Sequence, residues 1–233
     1  LILIIFLNEK MTNFLPLVEQ FHSLQGEGYH AGKSAFFIRL AGCEVGCSWC
    51  DTKHSWDREK YPSISIEIII NQIKIARKKG ASFCVITGGE PLHHNLDNLC
   101  KAIKKETSGE EKGSMKIHIE TSGVSAISGM YDWITLSPKR HLPPKNYFLK
   151  TCNEIKIIIS EKKDIEFAEY MKKEVKKILQ ITSLEEKLTK KDKIYYLQPA
   201  WNNDKGLSLA IEFVKNNPEW NLSLQTHKFL KIR

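Results

Sequence analysis

The chain has 233 residues, 42% hydrophobic and 27% charged, with a formal net charge of +8. Those values exclude a disordered tail or a fibrous repeat and suit one sizeable α/β domain rather than two. The lysine excess is spread along the chain, so it reads first as a solvated surface, and it suits an anionic small molecule as well as nucleic acid.

The opening run, Leu-Ile-Leu-Ile-Ile-Phe-Leu-Asn-Glu-Lys, is far shorter than the ~20 residues that span a bilayer. It also lacks the basic start and small-residue cleavage site of a signal peptide. Met11 follows it, so translation is expected to begin there. Residues 1–20 then form a leader and N-terminal extension, and residues 21–233 a single domain. Cytoplasmic localisation is the expectation, without membrane or direct nucleic-acid partner.

Residues 21–28 are polar and punctuated by glycine. Residues 34–40 (Ser-Ala-Phe-Phe-Ile-Arg-Leu) are an apolar run of strand length, broken by Arg39 just before a cysteine-bearing loop. An Ile-rich helix is expected over 64–79, ended by Gly80, then a buried strand over 83–87 and a helix over 95–105. Further strands are expected at 116–120, 133–136, 153–159, 195–198 and 222–225, and helices at 165–177 and 207–215. The Lys-rich region 172–193 reads as a solvated helix and loop, and 141–151 carries no clear pattern. Seven strands alternating with helices predict βαβ units and a parallel sheet. That number falls short of a full eight-stranded barrel, so a partial, open parallel β/α barrel is expected.

The organising stretch is Ala-Gly-Cys-Glu-Val-Gly-Cys-Ser-Trp-Cys-Asp-Thr at 41–52. Gly42 and Gly46 let a short loop fold back, because only glycine takes positive φ freely. Such a loop can aim Cys43, Cys47 and Cys50 at one centre. A closed zinc site or an electron-transfer cluster normally uses four protein ligands; three leave a position open. On spacing alone, zinc completed by His54 or a distant cysteine competes with an iron–sulfur cluster, and a disulfide framework does not fit an odd local count. Gly88-Gly89-Glu90-Pro91 follows the next strand, where glycines permit close backbone approach and Glu90 can accept from an ammonium group.

The Cys-x3-Cys-x2-Cys spacing with Trp49 before the last cysteine, followed in order by Gly-Gly-Glu-Pro, resembles the radical S-adenosylmethionine (SAM) superfamily. That resemblance implies a 4Fe–4S cluster on the three cysteines, with SAM chelating the fourth iron and yielding a 5′-deoxyadenosyl radical. Further stretches narrow it: Ser-Leu-Gln-Gly-Glu-Gly at 23–28, Phe-Phe-Ile-Arg at 36–39, Cys-Asp-Thr at 50–52, Glu-Thr-Ser-Gly at 120–123, Ser-Pro-Lys at 137–139 and Gln-Thr-His-Lys at 225–228. Together they resemble the 7-carboxy-7-deazaguanine synthase family, over nearly the whole chain from residue 21.

The family resemblance implies conversion of 6-carboxy-5,6,7,8-tetrahydropterin to 7-carboxy-7-deazaguanine with loss of ammonia, on the route to deazapurine nucleosides such as queuosine. It also implies a homodimer and a flavodoxin- or ferredoxin-like electron donor. Carried over residue by residue, Thr52 is the Mg²⁺ ligand, a role one threonine can fill because Mg²⁺ keeps water and substrate oxygens. SAM falls to Trp49, Gly88, Gly89, Glu90, Ser122, Ser137, Lys139 and Gln198. Leu24, Gln25, Gly26, Glu27, Arg39, Thr87 and His227 fall to the substrate, with Arg39 suited to its carboxylate. Against these roles stand an ion-paired Arg39, helix capping by Ser122 and a surface Lys139. His93 and His94 read as solvated loop residues; Cys84 and Cys100 read as buried thiols, and Cys152 has no evident partner. Two other functions share features of the chain: an activating enzyme for a glycyl-radical partner protein, and a non-catalytic zinc or iron–sulfur module, with RNA as its partner.

Overall fold

In the computed structural model, residues 13–109, 113–181 and 192–233 are described; the expectations for the leader, for Met11 and for 182–191 lie outside them. The chain opens with an eleven-residue strand, β1 (Phe14–Leu24), antiparallel to β2 (Ser34–Leu40). A short β3 (Ser63–Ser65) pairs with the other edge of β1. Neither β1 nor β3 was expected from the sequence, and the sheet therefore starts at Phe14, upstream of the boundary expected at residue 21. Proline is uncommon within a strand; Pro16 sits before pairing with β2 begins at Leu17, on the stretch matched to β3.

From β2 onward the sheet is parallel. Helix α1 (Ile66–Lys78) leads to β4 (Phe83–Gly88), and α2 (Asp97–Glu106) leads to β5 (Lys116–Thr121) and β6 (Trp133–Leu136). A short α3 (Asn146–Thr151) precedes β7 (Glu154–Ile159), α4 (Lys162–Ile181) precedes β8 (Ile194–Pro199), and α5 (Asp204–Asn216) precedes β9 (Trp220–Leu222). The short α6 (Thr226–Leu230) follows. The order is β3-β1-β2-β4-β5-β6-β7-β8-β9, so the ends are unpaired with each other and the barrel is partial and open, as expected. The unread stretch 141–151 supplies α3. The last strand lies at 220–222 rather than 222–225, because Ser223 turns inward after donating its N–H to Leu197 O.

Isoleucine is a poor helix former, yet α1 forms because Ile66, Ile69, Ile70 and Ile73 repeat at helical spacing and bury one face against the sheet. The Ser65 hydroxyl accepts from Ile68 N at 3.4 Å and caps the start. At the N-terminal end of the strands the barrel has an aromatic floor. Phe83 stacks on His118 at 4.1 Å between ring centroids, and the turn at residues 28–30 seats Tyr29 and His30 against Trp133. Above that floor runs a polar rung: Arg39 pairs with Thr87, and Glu120, Thr135 and Glu154 lie side by side on β5, β6 and β7. The Thr87 hydroxyl donates to Glu120 Oε2 at 2.9 Å and joins the two halves.

Ile73 is fully buried and Ile75, one turn-face away, is 46% exposed. Ile73→Ala is expected to lower the unfolding free energy by about 2–5 kcal/mol and Ile75→Ala by no more than about 0.5 kcal/mol, read from denaturant titrations.

Candidate active site

The cysteine loop leaves the carboxyl end of β2 and folds back as expected, with Gly42 at φ +101° and Gly46 at φ +72°. Backbone and side chains brace it from several sides. Gly42 N donates to Ser55 O (2.8 Å) and Cys43 N to Trp56 O (3.1 Å). His94 Nε2 donates to Ala41 O and His141 Nε2 to Val45 O, both at 2.7 Å. His94 is thus half-buried and structural rather than a solvated loop residue, while His93 is exposed as expected.

The Gly-Gly-Glu turn at the end of β4 is pressed directly onto this loop. Gly89 N donates to Leu40 O at 2.9 Å and Glu90 N to Gly42 O at 3.0 Å. A Cβ on Gly88 would stand 2.1 Å from Leu40 O, and one on Gly89 would stand 2.3 Å from Gly42 O and 2.9 Å from Cys43 Cβ. The glycines are required by the chain's own packing, before any ligand is considered. Glu90 is 2% exposed. Its Oε1 accepts from Thr121 Oγ1 (2.6 Å) and Leu92 N (3.2 Å), and its Oε2 from the N–H and hydroxyl of Ser122. Four donors meet the two oxygens, so Glu90 ties the turn to the end of β5. Ser122 serves that tie, and no helix begins at it.

All these parts open on one cavity of about 390 Å³, which every residue assigned above to cluster, Mg²⁺, SAM or substrate lines. Cys47 is buried, and Cys43 and Cys50 are half-buried. Burial pushes the Cys43 and Cys47 thiols up. Thr52 Oγ1 is 3.5 Å from Cys50 Sγ. No three His, Cys, Asp or Glu side chains among the described residues converge on a single ion; the thiolates of a cluster bind separate irons. Lys139 is no surface charge: it donates to Ser137 Oγ at 2.8 Å and lies 4.8 Å from the Trp49 ring centroid. Burial holds its ammonium below the usual lysine range. Gln198, 2% exposed, accepts from Ser223 Oγ at 2.7 Å.

Elsewhere on the cavity wall, Gln25 donates to Glu120 Oε1 at 3.1 Å. Arg39 is ion-paired, its Nε donating to Glu19 Oε1 at 2.9 Å, and it also faces the cavity. Leu24 and Thr87 complete that wall. His227 lies over Gly26, whose Cβ would fall 2.2 Å from its Nδ1; burial lowers its pKa. Glu27 accepts from Lys156 Nζ and, at 3.0 Å, from Gln225 Nε2. Burial alone would raise the Glu27 carboxyl, but the Lys156 charge and these hydrogen bonds outweigh it and hold it at about 2.

Several lining residues were given no role from the sequence: Asp51, Glu120, Gln225 and Lys228, which lie within the quoted motifs, and Glu19, Thr135 and Lys156, which lie outside them. Charged residues inside apolar strands, as in Lys-Ile-His-Ile-Glu and Glu-Ile-Lys-Ile-Ile-Ile, were the available signal for Glu120 and Lys156. Asp51 accepts from Gln225 Nε2 at 3.0 Å and from Lys228 Nζ. Gln225 thereby bridges Glu27 to the cysteine loop, a long-range pairing that no local pattern announces.

An open parallel β/α barrel with three cysteines after one strand and a Gly-Gly-Glu turn after its neighbour defines a radical SAM enzyme. The model of the Radical SAM superfamily matches residues 37–134. The 7-carboxy-7-deazaguanine synthase of Prochlorococcus marinus is 51% identical over 224 residues, covering 95% of this chain and 100% of that one. The enzyme of the same name from Synechocystis is 40% identical, covering 97% and 98%. The crystal structure of QueE from Escherichia coli superposes with a TM-score of 0.72 at 30% identity, covering 94% and 96%. The chain belongs to the 7-carboxy-7-deazaguanine synthase family. Membership implies a 4Fe–4S cluster and SAM, and three free thiols on one loop beside the glycine turn, all facing one cavity, suit both. Among the described residues, no helix is long and apolar enough to cross a membrane.

Gly89→Ala is expected to push the turn off the cysteine loop and lower iron bound after anaerobic reconstitution, by more than ~10-fold in affinity if the clash costs about 1.4 kcal/mol or more. Ser48→Ala, an exposed change in the same loop, is expected to leave iron loading unchanged. Iron content per chain, with far-ultraviolet circular dichroism as the check on folding, decides.

Proposed function

We propose that this chain converts 6-carboxy-5,6,7,8-tetrahydropterin to 7-carboxy-7-deazaguanine with release of ammonia, using Mg²⁺ in addition to the cluster and SAM. The observation that carries the proposal is the single cavity. It is lined by the three cysteines and also by the Arg39 guanidinium, the Glu27 and Glu120 carboxylates and the Gln25 amide, so that cluster, cofactor and a small polar heterocycle would meet in one space. Cys43, Cys47 and Cys50 would hold the cluster, and Thr52 would offer Mg²⁺ a hydroxyl beside it. Trp49, Gly88, Gly89, Glu90, Ser122, Ser137, Lys139 and Gln198 would bound the SAM subsite. Cluster and SAM together supply the hydrogen-atom abstraction.

The remaining work belongs to the chain's own side chains. Glu19 engages Arg39 through Nε, so the outer edge of the guanidinium can grip a substrate carboxylate bidentately. Glu27, ionised at neutral pH, accepts from ring N–H groups. Gln25 and Thr87 orient Glu120 for the same task, while Leu24, Gly26 and His227 close the pocket over the ring. A flavodoxin- or ferredoxin-like protein would deliver electrons in the cytoplasm, to a homodimer whose catalytic domain takes in the sheet from Phe14 onward. The product feeds deazapurine nucleoside synthesis, queuosine included, and so tRNA modification.

The test is anaerobic turnover of reconstituted, reduced protein with SAM, Mg²⁺ and 6-carboxytetrahydropterin, followed by product mass. The expected product has the mass of 7-carboxy-7-deazaguanine and is abolished by Cys47→Ala. Arg39→Ala is expected to reduce kcat/KM by about 10- to 100-fold, the worth of a charge-assisted hydrogen bond of about 1.5–3 kcal/mol. Cleavage of SAM with the pterin untouched would overturn the substrate assignment.

A further inference from the structure

Lys156 belongs to none of the motifs. It stands in mid-β7 with its side chain 6% exposed, and its ammonium reaches the floor of the cavity. A buried ammonium is costly unless it is paired. Here it pairs with Glu27, and Glu120 and Glu154 add further negative charge around it. Glu27 and Glu120 line the cavity. Glu154 lies beneath, accepting from Thr135 Oγ1 at 2.8 Å and Tyr29 N at 2.9 Å. One cation among three carboxyl groups leaves the floor rich in acceptors. Such a floor favours a ring edge that presents adjacent N–H donors and disfavours one that presents carbonyl oxygens.

We propose that Lys156 is a positioning residue for substrate selection: it holds Glu27 as a fixed carboxylate at the cavity floor, so that the site takes the 2-amino-4-oxopyrimidine edge of a pterin and rejects the dioxo edge of a lumazine. The proposal rests on the pterin reading given above. Glu27 is faced by Lys156 from β7, Asp51 from the cysteine loop, and Gln225 and His227 from the segment after β9, while Glu120 from β5 acts on Lys156 and His227. Without Lys156, burial and the Asp51 carboxylate both favour a proton on Glu27. A protonated Glu27 loses acceptor capacity. Binding in such a variant is therefore weakest at low pH and recovers as pH rises.

The experiment uses the full chain, reconstituted anaerobically with SAM present, and two redox-stable fluorescent probes, pterin-6-carboxylate and lumazine-6-carboxylate. Binding is read by fluorescence quenching between about pH 5.5 and about pH 7.5, above the ordinary carboxylate range, so that only a carboxyl raised by burial gains a proton there. The wild-type chain is expected to favour the pterin by about 10-fold or more, and Lys156→Met to weaken pterin binding by about 10- to 100-fold at the low end. The ratio of variant to wild-type Kd should fall as pH rises, which a packing defect would not produce. Lys156→Arg should keep the preference for the pterin. Glu27→Gln, which keeps shape and removes the charge, should lose it even if Lys156→Met fails to fold.

A Kd ratio for Lys156→Met that stays near one, or does not change with pH, overturns the proposal. So does a Glu27→Gln chain that retains the full preference. A wild-type chain that binds neither probe, or favours lumazine, overturns the pterin reading itself, and a preference present in wild type separates the two failures.

Discussion

The contact on which the site depends is backbone against backbone. Leu40 and Gly88 end adjacent parallel strands in register, and the two loops that follow are joined by hydrogen bonds from Gly89 N to Leu40 O and from Glu90 N to Gly42 O. Side chains at 88 and 89 would occupy space already filled by Leu40, Gly42 and Cys43. Two glycines therefore convert two neighbouring strand ends into one composite wall. Glu90 extends the wall to a third strand through Thr121 and Ser122. Parallel α/β sheets place their loops at the carboxyl ends of the strands; the glycine contact fixes how close the cysteines stand to the turn beside them.

Charge is arranged with the same economy around the rest of the cavity. The barrel floor is aromatic, the rung above it is polar, and Lys156 sits one rung higher on β7. Buried carboxylates on neighbouring strands repel one another unless a cation or donors separate them. Arg39 is met by Glu19, Glu27 by Lys156 and Gln225, and Glu120 by Gln25 and Thr87. The segment after β9 closes this network from outside. Gln225 touches Glu27 and Asp51, and Lys228 also reaches Asp51, so the cysteine loop, the 25–27 stretch and the end of the sheet are held as one body.

What the sequence disclosed follows from which interactions are local. The parallel strands announced themselves as short apolar runs, and β6 was read at its observed bounds, residues 133–136. The cysteine loop and the glycine turn were legible because backbone conformation restricts the residue types they tolerate. β1 was missed because Pro16 and a mixed polar pattern hide a strand that is covered on both edges only in the tertiary structure. Lys156 and Glu120 each appear in sequence as a charged residue alternating with isoleucine in a strand, and only the barrel interior shows them to be neighbours. His94 looked like a loop histidine, and His141 fell in a stretch without clear pattern, because their partners, the carbonyls of Ala41 and Val45, are distant in the chain. Residues that act through the main chain of a distant loop leave no trace in local pattern.

Cys43, Cys47 and Cys50 would hold a cluster beside a SAM subsite bounded by the glycine turn. Electron paramagnetic resonance of the anaerobically reconstituted, chemically reduced protein, recorded with and without SAM, addresses this arrangement most directly. The account predicts the signal of a reduced 4Fe–4S cluster whose g-values change when SAM is added. A signal that SAM leaves unchanged, or protein that binds zinc and takes up no iron, would contradict it.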